Sequence, residues 1–171
     1  RMPSVSRIHF LECAANGGME WRGAQMEALQ FTHGMINCCE WTGVSLKTVL
    51  DQAGLKPKAK WLLAEGADAS GMTRSIPLEK ALGDCILVYA QNGEMLRPEQ
   101  GYPLRLLVPG WEGNMSIKWL RRIEVGDQPW HTREESSKYT DLMPSGEARR
   151  FTWRQETNSV ITSVAPERPL N

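Results

Sequence analysis

Cys13 is the first side chain whose position suggests chemistry. It ends the strand-like run Arg7–Cys13, and the loop 14–18 that follows reads Ala-Ala-Asn-Gly-Gly. A thiolate is a soft metal ligand, and with a base such as His9 or His33 nearby it is also a nucleophile. A structural cysteine is usually buried among apolar neighbours, whereas a loop of small residues leaves room for a large group to approach. The residues alone leave both the inert and the reactive thiol open.

Segment 101–125 holds a second group of polar side chains. Arg105 lies on a strand-like run that leads into a Pro-Gly turn, and Ser116 and Lys118 occupy alternate positions after this turn. Side chains at alternate positions of a strand face the same side. Arginine, lysine and serine beside a glycine-rich turn could cradle an anion or a phosphate. A solvated sheet face is the alternative for these three residues.

Apolar runs predict the elements that would position these residues. Besides the run that ends at Cys13, strands are predicted at Trp61–Glu65, Thr73–Ile76, Cys85–Ala90, Leu104–Val108 and Ile117–Val125. Helices are predicted at Ser45–Ala53 and Leu78–Leu82. The polar segment 126–147 predicts a long loop, and the segment 149–162 predicts a final strand pair. Short helices among many strands indicate an α+β domain built on a mixed β-sheet.

The composition argues against several classes of protein. The 171 residues carry 20 basic and 20 acidic side chains, so no excess of positive charge points to a nucleic-acid partner. No apolar run approaches the ~20 residues that a membrane span requires. The cysteines are Cys13, Cys38, Cys39 and Cys85. Their spacing is not that of a zinc site and leaves one ordinary disulfide open. Because the chain starts with Arg1 and ends at Asn171 without an obvious terminus, we interpret it as a piece of a longer protein.

Several motifs in a fixed order carry a family resemblance. Along the chain they read CAAN, EWTGVSLKTVLDQAG, EGAD, SIPLEKAL, YAQNGEMLRPEQGYPLRLLVPGWEGNMSIKWLRRIEV and SVIT. In these motifs the chain resembles the molybdenum domain of the sulfite oxidase family, and the resemblance covers nearly all 171 residues. Within that family it resembles in particular the sulfane dehydrogenases of bacterial thiosulfate oxidation.

The resemblance implies a molybdopterin cofactor and the residues that hold it. Cys13 matches the cysteine that binds molybdenum directly, while the other sulfurs come from the dithiolene of the pyranopterin. Tyr139 matches a tyrosine beside the oxo groups of the metal. The positions that match contacts to the pterin and its phosphate are Asp68, Gln100, Arg105, Ser116 and Lys118. Gln100 stands where many sulfite oxidases carry a histidine.

The loop after Cys13 departs from the pattern of the family. Sulfite oxidases carry two arginines where this chain has Gly17 and Gly18, and the second arginine helps to form the anionic substrate pocket. A glycine pair offers no side-chain charge but leaves room for a larger substrate. The resemblance therefore implies oxidation of sulfane sulfur bound to a thiosulfate-carrier protein, with electrons passing to a c-type cytochrome subunit in the periplasm.

Three alternatives to this function remain. Free sulfite could be the substrate, as in a sulfite dehydrogenase of the same family. The chain could also be a truncated, cofactor-free and non-catalytic fragment. A thiol hydrolase that uses Cys13 with His33 would need the two side chains within hydrogen-bond reach.

The resemblance also implies a domain organisation. We expect residues 1–157 to form the molybdopterin-binding domain without its N-terminal part, which in the family carries an active-site arginine. Residues 158–171 would begin the immunoglobulin-like C-terminal domain. That domain is the dimerisation unit of the family, so the longer protein could form homo-oligomers through it.

Overall fold

The computed structural model describes residues 1–23 and 28–162 of the chain. The strands in this part are β1 Val5–Glu12, β2 Ile36–Ser45, β3 Trp61–Gly66, β4 Thr73–Pro77, β5 Ile86–Gln91, β6 Glu94–Met95, β7 Arg105–Leu107, β8 Leu120–Gly126, β9 Thr140–Leu142 and β10 Ala148–Arg150. The α-helices are α1 Leu29–Thr32, α2 Leu46–Ala53, α3 Leu78–Gly83 and α4 Arg133–Ser137. Short 3-10 helices cover Gly18–Arg22, Pro98–Gln100 and Gly113–Met115. None of the helices in the described ranges is long and apolar enough to cross a membrane.

One antiparallel sheet carries Cys13 at the end of a strand. Its strands lie in the order β1-β2-β5-β6, and β7 also pairs with β5. β1 pairs with β2 along its whole length, up to Glu12 opposite Ile36. The pairing extends one step further, since the Cys13 amide donates to the Met35 carbonyl oxygen at 2.9 Å. The backbone of Cys13 is therefore fixed at the rim of this sheet.

A close approach of two strands in this sheet depends on Gly43. The register between β2 and β5 shifts between Thr42 and Gly43. A Cβ atom at Gly43 would lie 2.1 Å from the Leu87 carbonyl oxygen. Because only glycine lacks this atom, the strands can approach here without a clash.

A second antiparallel sheet has the order β4-β3-β8. Its central strand β3 reads Trp-Leu-Leu-Ala-Glu-Gly and is buried from Leu62 onward. The buried carboxylate of Glu65 accepts hydrogen bonds from Arg121 and from Arg122, whose Nη2 lies 2.8 Å from Oε2. These two hydrogen bonds lower the pKa of Glu65. Glu65 thus joins the middle strand to β8.

Both sheets and two helices contribute to the main hydrophobic core. Its buried members include Leu46 and Leu50 of α2, Leu78 and Ala81 of α3, and residues of β3, β4, β5 and β7. Burial of apolar surface at about 25 cal/mol per Å² is the main source of stability in such a core. A smaller cluster surrounds Trp41 between β1 and β7.

A stack of aromatic rings fixes the segment after β10. Trp153 lies 4.9 Å from both Trp111 and Phe151 between ring centroids. Trp111 forms an isolated β-bridge with Arg154, and the Glu112 amide donates to the Trp153 carbonyl oxygen at 2.8 Å. The stack therefore ties residues 151–154 to the loop that follows β7.

The α+β fold with short helices predicted from the sequence is confirmed, with differences in detail. β2 was not predicted. The strand predicted at Ile117–Val125 begins only at Leu120, because Trp119 has a left-handed φ of 51° that interrupts the extended backbone. Ser116 and Lys118 consequently precede the strand, and the prediction that they share a strand face is wrong.

The C-terminal part of the described chain also differs from the predictions. The segment predicted as a long loop, 126–147, contains α4 and β9. The strand pair predicted at 149–162 does not form, because Ala148–Arg150 pairs with β9 and the aromatic stack engages the residues that follow. All four cysteines are free, so no disulfide forms.

Candidate functional site

The turn after Cys13 is held by a buried carboxylate. Glu12 is 6% exposed and accepts hydrogen bonds from the side-chain amides of Asn16 at 2.8 Å and Asn158 at 2.9 Å. The backbone amide of Asn16 donates to the Cys13 carbonyl oxygen at 2.9 Å. Cys13 itself is partly exposed. Its thiol therefore sits on a braced turn and remains accessible to a ligand.

The loop after β7 passes directly over the backbone of Cys13. A Cβ atom at Gly113 would lie 2.9 Å from the Glu12 carbonyl oxygen and 3.7 Å from the Cys13 nitrogen. The neighbouring Glu112 is buried and accepts a hydrogen bond from Asn114 at 3.0 Å. Burial raises the pKa of Glu112. Glycine at position 113 thus allows the loop that carries Glu112 to lie against the backbone of Cys13.

Tyr139 lies close enough to Cys13 for the two groups to interact electrostatically, and we call the surroundings of these two residues the Cys13 pocket. Burial raises the pKa of the Tyr139 hydroxyl, the charge of Arg74 opposes this rise, and charges on Cys13 and Glu112 add to it. The Arg74 guanidinium carbon lies 4.0 Å from the centroid of the Tyr139 ring. Four groups of different chemistry, a thiol, a phenol, a carboxyl and a guanidinium, therefore meet here.

Helix α4 places Tyr139 in this pocket. Thr132 and Glu135 form a capping box at its N-terminus. The Glu135 carboxylate also accepts hydrogen bonds from the backbone amide and the hydroxyl of Ser75 on β4. The Tyr139 amide then donates to the Glu134 carbonyl oxygen at 3.1 Å. The helix is short, but these hydrogen bonds attach it to β4 next to Arg74.

Arg105 is buried beneath a second group of the predicted residues. It is 4% exposed, and it donates from Nη1 to the Gln100 carbonyl oxygen at 3.0 Å and from Nη2 to the Ser116 carbonyl oxygen at 3.2 Å. Its guanidinium carbon lies 5.0 Å from the Trp41 ring centroid. Burial lowers the pKa of Arg105 to about 10. Arg105 is therefore not part of a solvated sheet face.

The other four residues of this group lie around Arg105 and Gly66. Ser116 accepts a hydrogen bond from the Val108 amide at 3.0 Å, and Lys118 donates to the Glu99 carbonyl oxygen at 2.9 Å, next to Gln100. A Cβ atom at Gly66 would lie 2.8 Å from the Lys118 carbonyl oxygen and 3.4 Å from an Asp68 carboxylate oxygen. The structure thus gathers Asp68, Gln100, Arg105, Ser116 and Lys118 into one neighbourhood.

The donor set of these two groups fits a molybdopterin. Cys13 offers a partly exposed thiol, and soft thiolate ligands suit metals that bind sulfur. The buried Nε of Arg105 has no hydrogen-bond partner within the described residues, so this cation can still donate to an anionic group. Glycines at 66, 101 and 113 allow the backbone to pack closely on Lys118 and Glu12, because a Cβ atom at each position would lie within 3 Å of these residues.

The two glycines after Cys13 differ in their surroundings. Gly17 has a left-handed φ of 77°, and a Cβ atom there would lie 2.9 Å from Nε2 of His33. A Cβ atom at Gly18 would meet no atom of the described residues within 4 Å. The space expected from the glycine pair is therefore filled by His33 at Gly17 and open at Gly18.

His33 does not act on Cys13 in this arrangement. Its Nδ1 lies 2.9 Å from the Thr32 hydroxyl and 3.8 Å from the Glu20 carboxylate. Within residues 1–23 and 28–162, no hydrogen bond joins His33 to the Cys13 thiol. The pairing required for a thiol hydrolase is thus not present.

Sequence reasoning missed Arg74 and Glu112. Arg74 sits in a predicted strand, where a charged residue is normally exposed, and nothing in the sequence marks it as 1% exposed. The Thr-x-x-Glu spacing of Thr132 and Glu135 is a capping-box signal that could have revealed α4. The sequence around Glu112 and Gly113 contains no comparable motif that would predict a buried carboxyl group.

A family model identifies the class of the protein. The model described as oxidoreductase molybdopterin binding domain matches residues 1–134, and the chain therefore belongs to this family. Mitochondrial sulfite oxidase of Drosophila melanogaster is 33% identical over 153 residues, which cover 84% of this chain and 27% of that protein. An NADH nitrate reductase of Phaseolus vulgaris is 36% identical over 140 residues, which cover 74% of this chain and 16% of that protein.

A solved structure gives a more particular similarity. The crystal structure of the sulfane dehydrogenase SoxCD from Paracoccus pantotrophus matches with a TM-score of 0.92 and 56% identity, over 99% of this chain and 44% of that chain. The predicted resemblance to the sulfite oxidase family, and within it to SoxC, is thereby confirmed. The chain spans 27% of the Drosophila relative and 44% of the SoxCD chain.

Proposed function

We propose that the protein to which this chain belongs is a molybdenum-dependent sulfane dehydrogenase. The supporting observation is the partly exposed thiol of Cys13, on a braced turn under a glycine-containing loop, in a chain 56% identical to a structure with that name. When bound, the molybdenum cofactor supplies oxygen-atom transfer coupled to a two-electron oxidation of sulfur, with water as the oxygen source.

In this proposal, one group of residues binds the metal and a second group binds the pterin. Cys13 holds the metal, and Tyr139 places a hydroxyl in the same pocket. The residues that hold the pterin and its phosphate are Asp68, Gln100, Arg105, Ser116 and Lys118. Arg105 is already bonded to two backbone carbonyls, so it both shapes this cradle and supplies its positive charge.

The absence of a side chain at Gly18 is an argument for a substrate larger than free sulfite. The open space at its Cα leaves room for a sulfur chain carried on a protein, while His33 closes the space at Gly17. We propose a thiosulfate-carrier protein as the bearer of this sulfur and a c-type cytochrome subunit as the electron acceptor. The reaction would take place in the periplasm, and residues 158–171 would lead into a dimerisation domain.

Cys13→Ser in the full-length protein tests the metal ligand. A hydroxyl is a harder donor than a thiolate, so X-ray absorption at the molybdenum edge should show one sulfur scatterer fewer. Cys38→Ser is the matched control, because Cys38 is exposed. An unchanged sulfur count in Cys13→Ser would contradict the assignment.

A comparison of kcat/KM for carrier-bound sulfane and for free sulfite tests the substrate. We expect the carrier-bound substrate to give the higher value. Gly18→Arg should shift the ratio towards sulfite, because an arginine binds a small dianion through charge-assisted hydrogen bonds. Gly83→Arg adds the same charge at an exposed helix end and serves as the control. A higher kcat/KM for sulfite in the unmodified enzyme would favour a sulfite dehydrogenase instead.

A further inference from the structure

Arg74 is a buried cation that forms no ion pair with another described residue. It lies on β4 and is 1% exposed, and its Nε and Nη2 have no hydrogen-bond partner in the described part of the chain. None of the ion pairs among these residues involves it. Burial of an unpaired charge is unfavourable, and an apolar side chain of the same size often gives a more stable protein. Stability alone therefore does not explain an arginine at this position.

The acidic residues near Arg74 oppose the fall in its pKa that burial causes, but each of them hydrogen-bonds or pairs with another partner. Glu135 accepts hydrogen bonds from Ser75 and from the Thr132 amide, and Glu134 pairs with Arg133. Glu112 accepts a hydrogen bond from Asn114. Among the described residues, Arg74 lies against the aromatic face of Tyr139, with the guanidinium carbon 4.0 Å from the ring centroid, and it also interacts with the Tyr139 hydroxyl.

We propose that Arg74 is a positioning residue of the active site, which holds the Tyr139 ring in the pocket of Cys13 through a cation–π contact. This inference rests on the proposed function, because Tyr139 needs a fixed place only if its hydroxyl takes part in the reaction. A cation–π contact is strongest when the cation is removed from water, as Arg74 is.

The position of Tyr139 in the fold explains why such a contact is needed. Tyr139 lies in the turn after a helix of only five residues, and its side chain is partly exposed. The hydrogen bonds of Glu135 with Ser75 fix the backbone of this helix on β4. Arg74, the neighbour of Ser75 on the same strand, fixes the ring. Backbone and side chain of Tyr139 are thus both attached to β4.

Fluorine NMR tests the contact directly, in a readout separate from activity. 3-Fluorotyrosine labelling of the full-length protein gives one signal per tyrosine, three of which come from this chain, and the signal lost in Tyr139→Phe identifies Tyr139. Arg74→Met should shift this signal and narrow it, because the ring loses the cation on its face and becomes more mobile. Arg97→Met removes an arginine whose side chain is 74% exposed and should leave the signal in place. An unchanged Tyr139 signal in Arg74→Met would overturn the proposal.

Steady-state kinetics, expressed per bound molybdenum atom, test the consequence for the reaction. Arg74→Met should lower kcat by about 10-fold or more, because small misplacements of reacting groups are costly. KM should stay within about 2-fold, because substrate binding is not removed. Arg74→Lys should retain part of the rate, since lysine keeps the charge but not the planar stacking group. Added to Tyr139→Phe, Arg74→Met should cause little further loss, as expected for two residues that act through one group.

Three other outcomes would overturn the proposal. A rise in KM without a loss of kcat would show that Arg74 binds an anionic group of the substrate. A loss of molybdenum content would show that it holds the cofactor. An Arg74→Lys variant with normal kcat and a normal Tyr139 signal would exclude positioning even if Arg74→Met failed to fold. Absence of sulfane oxidation in the unmodified enzyme would reject the proposed function, whereas the fluorine signal would still decide on the contact.

Discussion

The pocket around Cys13 shows how single side chains acquire their chemistry from their surroundings. Burial raises the pKa of both Tyr139 and Glu112, so both groups favour their neutral, proton-carrying forms. Arg74 acts against this rise at Tyr139. A phenol, a carboxyl group and a guanidinium therefore lie near the thiol, and such groups can stabilise negative charge that develops on an oxygen atom.

Tyr139→Phe keeps the ring on Arg74 and removes only the hydroxyl. We expect turnover per bound molybdenum to fall on the order of 10²-fold if the hydroxyl transfers a proton. Thermal stability should change little, because the cation–π contact remains. Tyr102→Phe is the control, since Tyr102 is 50% exposed. Turnover equal to that of the unmodified enzyme would leave Tyr139 without a catalytic role.

The cysteines should differ in reactivity with a thiol reagent. Burial raises the pKa of Cys85 to about 12, so at pH 8 only about one molecule in ten thousand carries its thiolate. Cys38 is exposed and should be labelled in the native protein, while Cys85 should react only after denaturation. Mass spectrometry of peptides from native and denatured samples gives the comparison. Rapid native labelling of Cys85 would contradict its burial.

Residues of the candidate site could be predicted only where their residue type or their match to the motifs of the family distinguishes them. Cys13 stands out in the sequence because a thiol precedes a run of small residues. Tyr139 was identified through the resemblance alone. Arg74 and the hydrogen bonds of Arg105 could not be predicted, because they depend on which side of a strand is covered by residues far away in the chain.

The strands and helices of this fold depend on tertiary contacts that the local sequence predicts only in part. β3 is a continuous apolar run and was predicted within one residue of its ends. β2 was missed because its polar residues and Gly43 hide the strand pattern, while its stability comes from pairing with β1 and β5. α4 was missed because five residues give no helical periodicity. Non-local strand pairing and helix capping thus account for the differences between the predicted and the observed elements.

Gly43→Ala should weaken the sheet that carries Cys13. The added Cβ would lie 2.1 Å from the Leu87 carbonyl oxygen, and backbone atoms cannot move aside as a flexible side chain can. We expect a loss of about 1–3 kcal/mol in the free energy of unfolding, measured by denaturant titration. Gly83→Ala, where a Cβ meets nothing within 4 Å, should change stability little. Equal stability of the two variants would argue against the close approach.

Glu65→Gln should reveal a stabilising carboxylate between β3 and β8. Hydrogen bonds from Arg122 and Arg121 lower the pKa of Glu65 below its ordinary 4.5. A lowered pKa in the folded state means that the charged form contributes stability above pH 4.5 and that this contribution is lost as the pH falls through the folded value.

The melting temperature of Glu65→Gln should therefore be lower than that of the unmodified protein at neutral pH. The difference should shrink in acid. Glu94→Gln is the control, because Glu94 and Arg97 form an ion pair with both side chains more than 70% exposed, and such pairs contribute little. A difference that does not depend on pH would show that charge is not the cause.

The described part of the chain is held together by two sheets that share a core and by an aromatic stack that includes Phe151 and Trp153. Its fold class and family follow from the sequence, because the motifs lie in order along nearly the full length. The sequence did not predict that residues 151–154 pack on the loop beside Cys13. That contact joins parts of the chain about 40 residues apart, and only the folded molecule brings them together.

Trp153→Ala tests this attachment. Removing a partly buried indole from a stack should cost roughly 3 kcal/mol, measured as a loss in the free energy of unfolding. Trp21→Ala should have almost no effect, because Trp21 is 91% exposed. Equal stability of the two variants would show that the C-terminal segment is not anchored by its aromatic residues.

The same stack gives the molecule an optical property. The indole rings of Trp111 and Trp153 lie 4.9 Å apart and nearly parallel, at 7° between their planes. Chromophores this close share their electronic excitations, so their circular dichroism depends on how the two rings are oriented to each other. Trp111 stands one residue before Glu112 in the loop that covers Cys13, and any movement of that loop changes the orientation. Movement of this loop relative to Trp153 can therefore be followed by the circular dichroism of the protein itself, without an added dye.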